Sequence, residues 1–280
     1  MDDCDVLLVG DSHFYYMTGE AVCMLDKPDI IDKSQHNHGQ VTQHTKYKNI
    51  YYFHVSGATA SGFRPEHISK TGAFDICDYY IRKLKNTVKL VFNFGHVDMR
   101  VLHLSKCIRE NKKIDLNTFI DDVITKYISG ILKINEFNKN IYIFGINPPS
   151  TRTVRILLSN TGDQDKFNDY KSLPYDFLLE SRTENFRLFN EKLKATCEKY
   201  NFTYLDCWDR LVDDHQSVTR VLKFNYFYPD FDDHHIYIKN DPSWYDYFWN
   251  KIHQTLQVTP KTYEDVTPEA AVTPEAPVGP

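Results

Sequence analysis

The sequence predicts a three-layer α/β/α domain built on a five-stranded parallel sheet. Two observations and one rule carry that expectation. Five short apolar runs of strand character are spread along the chain, segments with helical apolar spacing lie between most of them, and parallel neighbours need such crossover connections. The 280 residues are 41% hydrophobic, enough for one substantial core.

The first run, DVLLVG at 5–10, is followed at once by the polar stretch DSH. The second and third are NIYYFHV (49–55) and VKLVFNFG (88–95), and the last two are NIYIFGIN (140–147) and FTYLDC (202–207). Between them, residues 73–86 set Phe74, Cys77, Tyr80, Ile81 and Leu84 on one helical stripe. Residues 116–134 repeat the pattern with Phe119, Val123, Ile124, Tyr127, Ile128 and Ile131. Residues 183–201 bury Phe186, Phe189, Leu193 and Cys197, and Thr183 is placed as the N-terminal cap. A last helix follows the acidic, histidine-rich stretch at 232–235. The alternation fits a flavodoxin-like arrangement over residues 1–257.

Three stretches interrupt it: the polar, histidine-rich 26–48, the long connection 148–182, and the aromatic FNYFYPDFDDHHIY at 224–237. Connections of such length are usually functional or disordered. The last 23 residues carry VTPEA twice, at 266–270 and 272–276. Their Pro, Glu and small residues lack the apolar content to offset ordering, so 258–280 is expected to be a disordered tail, suited to tethering the domain to another protein.

A net charge of −5 gives no electrostatic reason to expect nucleic acid or an anionic membrane. MDDCDVLLVG is acidic where a signal peptide is basic, and no run approaches the roughly 18 apolar residues of a membrane span. The six cysteines are scattered without a Cys-x-x-Cys pair, which favours free thiols in a reducing, cytoplasmic setting. His36, His38 and His44 lie in a polar stretch that no carboxylate or cysteine pattern completes, so no metal site is expected.

In a parallel α/β sheet, ligands bind beyond the carboxyl ends of the strands. That rule gathers Ser12 after the first strand, Ser56-Gly57-Ala58-Thr59 after the second and Gly95-His96-Val97-Asp98 after the third. Taken alone, Asp-Ser after a strand reads as a helix cap. The ordered set GDSH, SGATASGF, FGHVD and a late D-x-x-H, however, resembles the SGNH (GDSL-type) hydrolase superfamily over residues 5 to about 256.

The resemblance implies Ser12 as nucleophile, with Asp232 and His235 completing a triad, and Asp233 or Asp230 with His234 as the rival pairing. Such a set is chemically sufficient, because a serine needs an imidazole base and a carboxylate fixes the tautomer of that base. The backbone N–H groups of Ser12 and Gly57 are the implied oxyanion donors, the first also favoured by the helix N-terminus beyond it.

The third block departs from the family's Gly-x-Asn-Asp: Val97 stands at the asparagine and cannot donate. Either His96 or Asn93 takes that role, or the site runs on two backbone donors. Tyr226 and Tyr228 are candidates for contacting substrate. His13 is read as a rim or packing residue, and Asp98 with Arg100 as a structural ion pair.

The implied activity is that of a serine esterase or O-acyltransferase needing no cofactor. The expected substrate is a small-molecule or glycan ester, with acetyl on a carbohydrate foremost. The alternative is an inactive module that binds a glycan or a protein.

Overall fold

A computed structural model describes residues 3–18, 40–55, 57–65, 72–110, 112–149, 179–212 and 241–263. The strands are β1 (Val6–Gly10), β2 (Gln40–Gln43), β3 (Ile50–His54), β4 (Lys89–Asn93), β5 (Ile141–Phe144) and β6 (Thr203–Leu205). The helices are α1 (Ser12–Met17), α2 (Ala73–Ile81), α3 (His103–Arg109), α4 (Leu116–Asn135), α5 (Leu179–Tyr200), α6 (Trp208–Leu211) and α7 (Trp244–Leu256). A π-helical turn, Asp98–Leu102, leads into α3.

The sheet order is β2-β3-β1-β4-β5-β6. The five expected strands are present and parallel to one another. The expected five-stranded sheet gains a sixth member: β2, in the histidine-rich stretch, pairs antiparallel with β3. Its sequence QVTQ offers one apolar residue in four, which periodicity alone does not distinguish from a loop.

Alternation of side chains along the strands sorts the core into two layers. Leu7, Val9, Phe53, Leu90, Phe92 and Ile143 face one way, under apolar residues of α2, α4 and α5. Val6, Leu8, Tyr52, Val91 and Leu205 face the other way, under Phe14 and Met17 of α1 and the aromatic face of α7. Every residue of β1 is buried, and both of its edges are paired.

The helical stripes fall as the spacing predicts. In α4, Asp115 caps the N-terminus by accepting from the Thr118 N–H at 2.7 Å, while Phe119, Val123, Ile124, Tyr127, Ile128 and Ile131 are buried. The start of α5 differs from expectation. The helix begins by Leu179, so Thr183 is an interior residue with 2% exposure rather than a cap. Cys4, Cys77, Cys107, Cys197 and Cys207 are free and buried, and Cys23 lies outside the described residues. Among the described residues no helix is long and apolar enough to cross a membrane.

Two clasps join the chain ends to the sheet. The indole N–H of Trp244 donates to the Met17 carbonyl at 2.7 Å, and that of Trp249 to the Thr18 carbonyl at 3.2 Å. The end of the first helix is thereby held by the last. After α7 the chain stays pinned beyond the expected boundary at 258. Asn49 donates to the Thr259 carbonyl, Lys48 N–H to the Lys261 carbonyl, and the Lys261 ammonium pairs with Asp5 at 2.7 Å. Thr262 bridges Tyr47. The fold therefore runs through Tyr263, and both VTPEA copies lie outside the described residues.

Replacing Trp244 with Phe keeps most of the packed ring and strands a buried acceptor on α1. It is expected to lower stability by about 1–3 kcal/mol. Urea unfolding of the full chain measures this, and a change under about 0.5 kcal/mol would mean that α7 holds α1 by packing alone.

Candidate active site

Strand register defines the rim on which the site stands. Gly10, at the end of β1, pairs with His54 of β3 on one side and Asn93 of β4 on the other. The Val55 N–H then donates to the Gly10 carbonyl at 3.0 Å, keeping the two chain exits together. Ser12 emerges two residues past this row as the half-exposed first residue of α1.

The capping carboxylate of α1 belongs to Asp11, whose Oδ1 accepts from the His13 N–H at 2.9 Å. Asp11 is fully buried. Burial pushes its carboxyl up to about 7 from 3.8, opposed by backbone N–H groups of His13 and Phe14 and by the positive charge of Arg100.

The loop after β3 presents Gly57 with φ of +70°, a region open to glycine at little strain. Among the described residues, a side chain there would meet nothing within 4 Å. The loop is anchored from β4's side. Asp98, fully buried, accepts from the Ala60 N–H at 2.7 Å, the Ser61 N–H at 3.2 Å and the Ser61 hydroxyl at 2.6 Å. Burial raises its carboxyl too, against those hydrogen bonds. Both oxygens thus hold the loop.

Gly95 is required on two counts. Its φ is +123°, and a Cβ there would lie 2.5 Å from the Phe189 ring of α5. The turn it makes carries His96 and half-buried Val97 onto the rim. His96 is 1% exposed and stacks on His13 with ring centroids 3.6 Å apart and planes 17° from parallel. The Phe186 ring meets it edge-on at 5.0 Å.

Asn93 has a different employment from the one expected. Its side-chain amide donates to the carbonyls of Phe144 at 3.0 Å and Gly145 at 2.8 Å. Both amide hydrogens are so engaged, and the side chain ties the ends of β4 and β5 together. This corrects the expectation of Asn93 as an oxyanion donor.

The structure thus brings Ser12, Gly57, Asn93 and His96 to one rim. Asp232, His235, Tyr226 and Tyr228 lie outside the described residues, as do Ser56 and the rival residues Asp230, Asp233 and His234. His36 and His38 also lie outside them. His44 is fully buried, and its Nδ1 accepts from the N–H groups of Lys46 at 2.8 Å and Tyr47 at 3.1 Å. Burial lowers its imidazole to about 3. It holds the turn between β2 and β3 as a neutral ring.

His13, read from the sequence as a rim or packing residue, is packed at the rim. It is 1% exposed, with Nδ1 3.4 Å from Asp11 Oδ1 and Nε2 3.4 Å from an Arg100 nitrogen. Gly10 and Asn93 are register partners, and the two histidines each stand three residues beyond them.

No family model matches this sequence, and no curated protein matches it significantly. Among solved structures, the chain is similar to a GDSL-like lipase from Bacteroides thetaiotaomicron at 11% identity, covering 91% of this chain and 88% of that one with a TM-score of 0.44. It is similar to an extracellular lipase from Streptomyces rimosus at 10% identity, covering 89% and 99% with a TM-score of 0.43. The periplasmic domain of a lipopolysaccharide acetyltransferase from Salmonella Paratyphi A is similar at 14% identity, covering 92% and 85% with a TM-score of 0.45.

Asp11 makes stability pH-dependent with a definite sign. A carboxyl whose pKa is raised on folding binds its proton more tightly in the folded state. Its contribution is fully present below about pH 4 and is lost as pH rises through about 7. Asp11→Asn keeps an oxygen to accept from the His13 N–H and cannot ionise. The difference in melting temperature between variant and wild type should therefore move in the variant's favour from pH 5 to pH 8. Thermal unfolding at both pH values tests this, and a difference independent of pH would mean that Asp11 is not the buried titrating group.

Proposed function

We propose that the chain is a serine esterase or O-acyltransferase of SGNH type, acting on a short acyl ester, with acetyl carried by a carbohydrate as the foremost substrate class. The observation that carries the reading is the placement of Ser12: at the carboxyl end of a central, fully buried strand, opening a helix whose far end is clasped by the helix that follows the D-x-x-H motif.

That clasp leaves the proposed triad within reach of the chain. Ser12 lies five helical steps from Met17, about 7.5 Å along the axis. His235 precedes Trp244 by nine residues, a span that reaches up to roughly 30 Å when extended. A chain tied down so near α1 has ample length to return an imidazole to Ser12.

In the proposed reaction the Ser12 hydroxyl attacks the acyl carbonyl while His235 takes its proton. Asp232 holds the His235 tautomer and stabilises the imidazolium. The N–H groups of Ser12 and Gly57 receive the negative charge developing on the carbonyl oxygen. The positive φ of Gly57, with no described residue within 4 Å of where its side chain would stand, supports that assignment. His235 then returns the proton to the leaving alcohol. Water releases the acyl group in an esterase, and a sugar hydroxyl takes it in a transferase. Tyr226 and Tyr228 are assigned to the substrate's alcohol portion, and the C-terminal repeats to attachment to another protein.

A second reading, a non-catalytic module that binds a glycan or a protein, is favoured by the third block. The Val97 side chain has no donor, and the Asn93 amide is engaged by two carbonyls. One missing oxyanion donor lowers rate by roughly 10²–10³, so a two-donor enzyme is slow rather than inert.

Labelling of the full chain by a fluorophosphonate, with turnover of a nitrophenyl acetate, separates the two. Ser12→Ala should abolish labelling, and Ser12→Ala and His235→Ala should each lower kcat by at least about 10³-fold. An unlabelled wild type that still binds a glycan or protein decides for the second reading.

A further inference from the structure

We infer that His13 is a positioning residue for Ser12, held as a neutral imidazole by Arg100 and His96 so that the first turn of α1 keeps the nucleophile in place. The inference rests on Ser12 being the nucleophile and concerns what fixes its position.

The argument begins with the donors. A guanidinium has only hydrogens to offer, so the Arg100 nitrogen 3.4 Å from His13 Nε2 makes that ring atom the acceptor. The ring proton then resides on Nδ1, which faces Asp11 Oδ1 at 3.4 Å. Asp11, through its other contact, caps the same turn at the His13 N–H. The residue following Ser12 is thus fixed at its backbone by Asp11 and at its side chain by Arg100.

His96 closes the face of the ring. Two imidazoles with centroids 3.6 Å apart and nearly parallel planes cannot both carry charge at acceptable cost in a buried site. Among the described residues, the groups facing the pair are Asp11 from the turn before α1, Arg100 from the segment after β4, and the apolar Phe186 ring from α5. Asp98 adds a second negative charge that acts on Asp11. Arg100 is the fixed positive charge among them. It opposes proton uptake by His13 through proximity and lowers the proton affinity of Asp11.

A cluster that gained a proton would put an imidazolium against His96 and drive the rings apart. The turn bearing Ser12 would move with His13, and displacement of a reacting atom by about 1 Å can cost on the order of 10²-fold in rate. Such a loss falls on kcat, because it removes alignment in the transition state rather than uniform binding.

Two variants of the full chain test this, each normalised to the sites that a fluorophosphonate titrates. His13→Phe keeps a ring against His96 and loses both polar contacts. It should lower kcat by about tenfold or more, with KM within about threefold of wild type. Arg100→Met sits at the half-buried edge of the cluster and serves where His13→Phe fails to fold. It should move the acid limb of the kcat/KM profile upward by about one pH unit. Wild-type kcat in His13→Phe, or an Arg100→Met profile superimposed on wild type, overturns the inference while leaving the nucleophile intact. A wild type that the fluorophosphonate does not label removes the nucleophile itself, and the inference with it.

Discussion

A strand paired along both edges and covered on both faces can offer chemistry to solvent only through its end. β1 is in that position. Its residues are all buried, β3 and β4 flank it, and separate layers of apolar side chains lie above and below. Whatever follows Gly10 is therefore the point at which the centre of the sheet meets solvent. The loops after β3 and β4 stand beside it because their strands run parallel to β1 in fixed register. The rim is set by the sheet before any loop makes a contact of its own.

Polar groups at that rim are mostly engaged in holding backbone. Asp11 caps α1, Asp98 gathers the N–H groups of Ala60 and Ser61, and Asn93 joins the ends of β4 and β5. Asn190 on α5 does the same further along, exchanging two hydrogen bonds with the backbone of Ile146 at 2.8 and 2.7 Å. Two of these groups are carboxyls fully withdrawn from water, and both have raised proton affinity as a result. Desolvated carboxyls cost stability, and here they fall where loop geometry decides what Ser12 and Gly57 can reach.

Much of this was legible from residues alone. The five parallel strands could be read because strands covered on both faces are continuous apolar runs, and α4 because its stripe is unbroken over five turns. β2 escaped notice because an edge strand needs little apolar content. The segment from Asp98 to Arg109 escaped because its buried residues are few and a π-turn breaks their period. The place of Ser12 at the end of the first strand was legible from its neighbours in sequence. The pairing of His13 with His96 was not, since it depends on the alignment of two strands more than eighty residues apart. The engagement of the Asn93 amide was hidden for a related reason: its acceptors are carbonyls of a third strand.

The pinning of residues 259–262 fixes where anything attached downstream must start. Asp5 and Asn49 directly precede β1 and β3, so Lys261 is bound at the amino pole of the sheet, while Ser12 opens at the carboxyl pole. A carrier, scaffold or solid support joined just after these pinned residues would start at the pole opposite Ser12, with the carboxyl edge of the sheet turned away from it. Linker length would then govern how far that edge ranges, and steric shielding by the attachment would fall on the wrong side to block it.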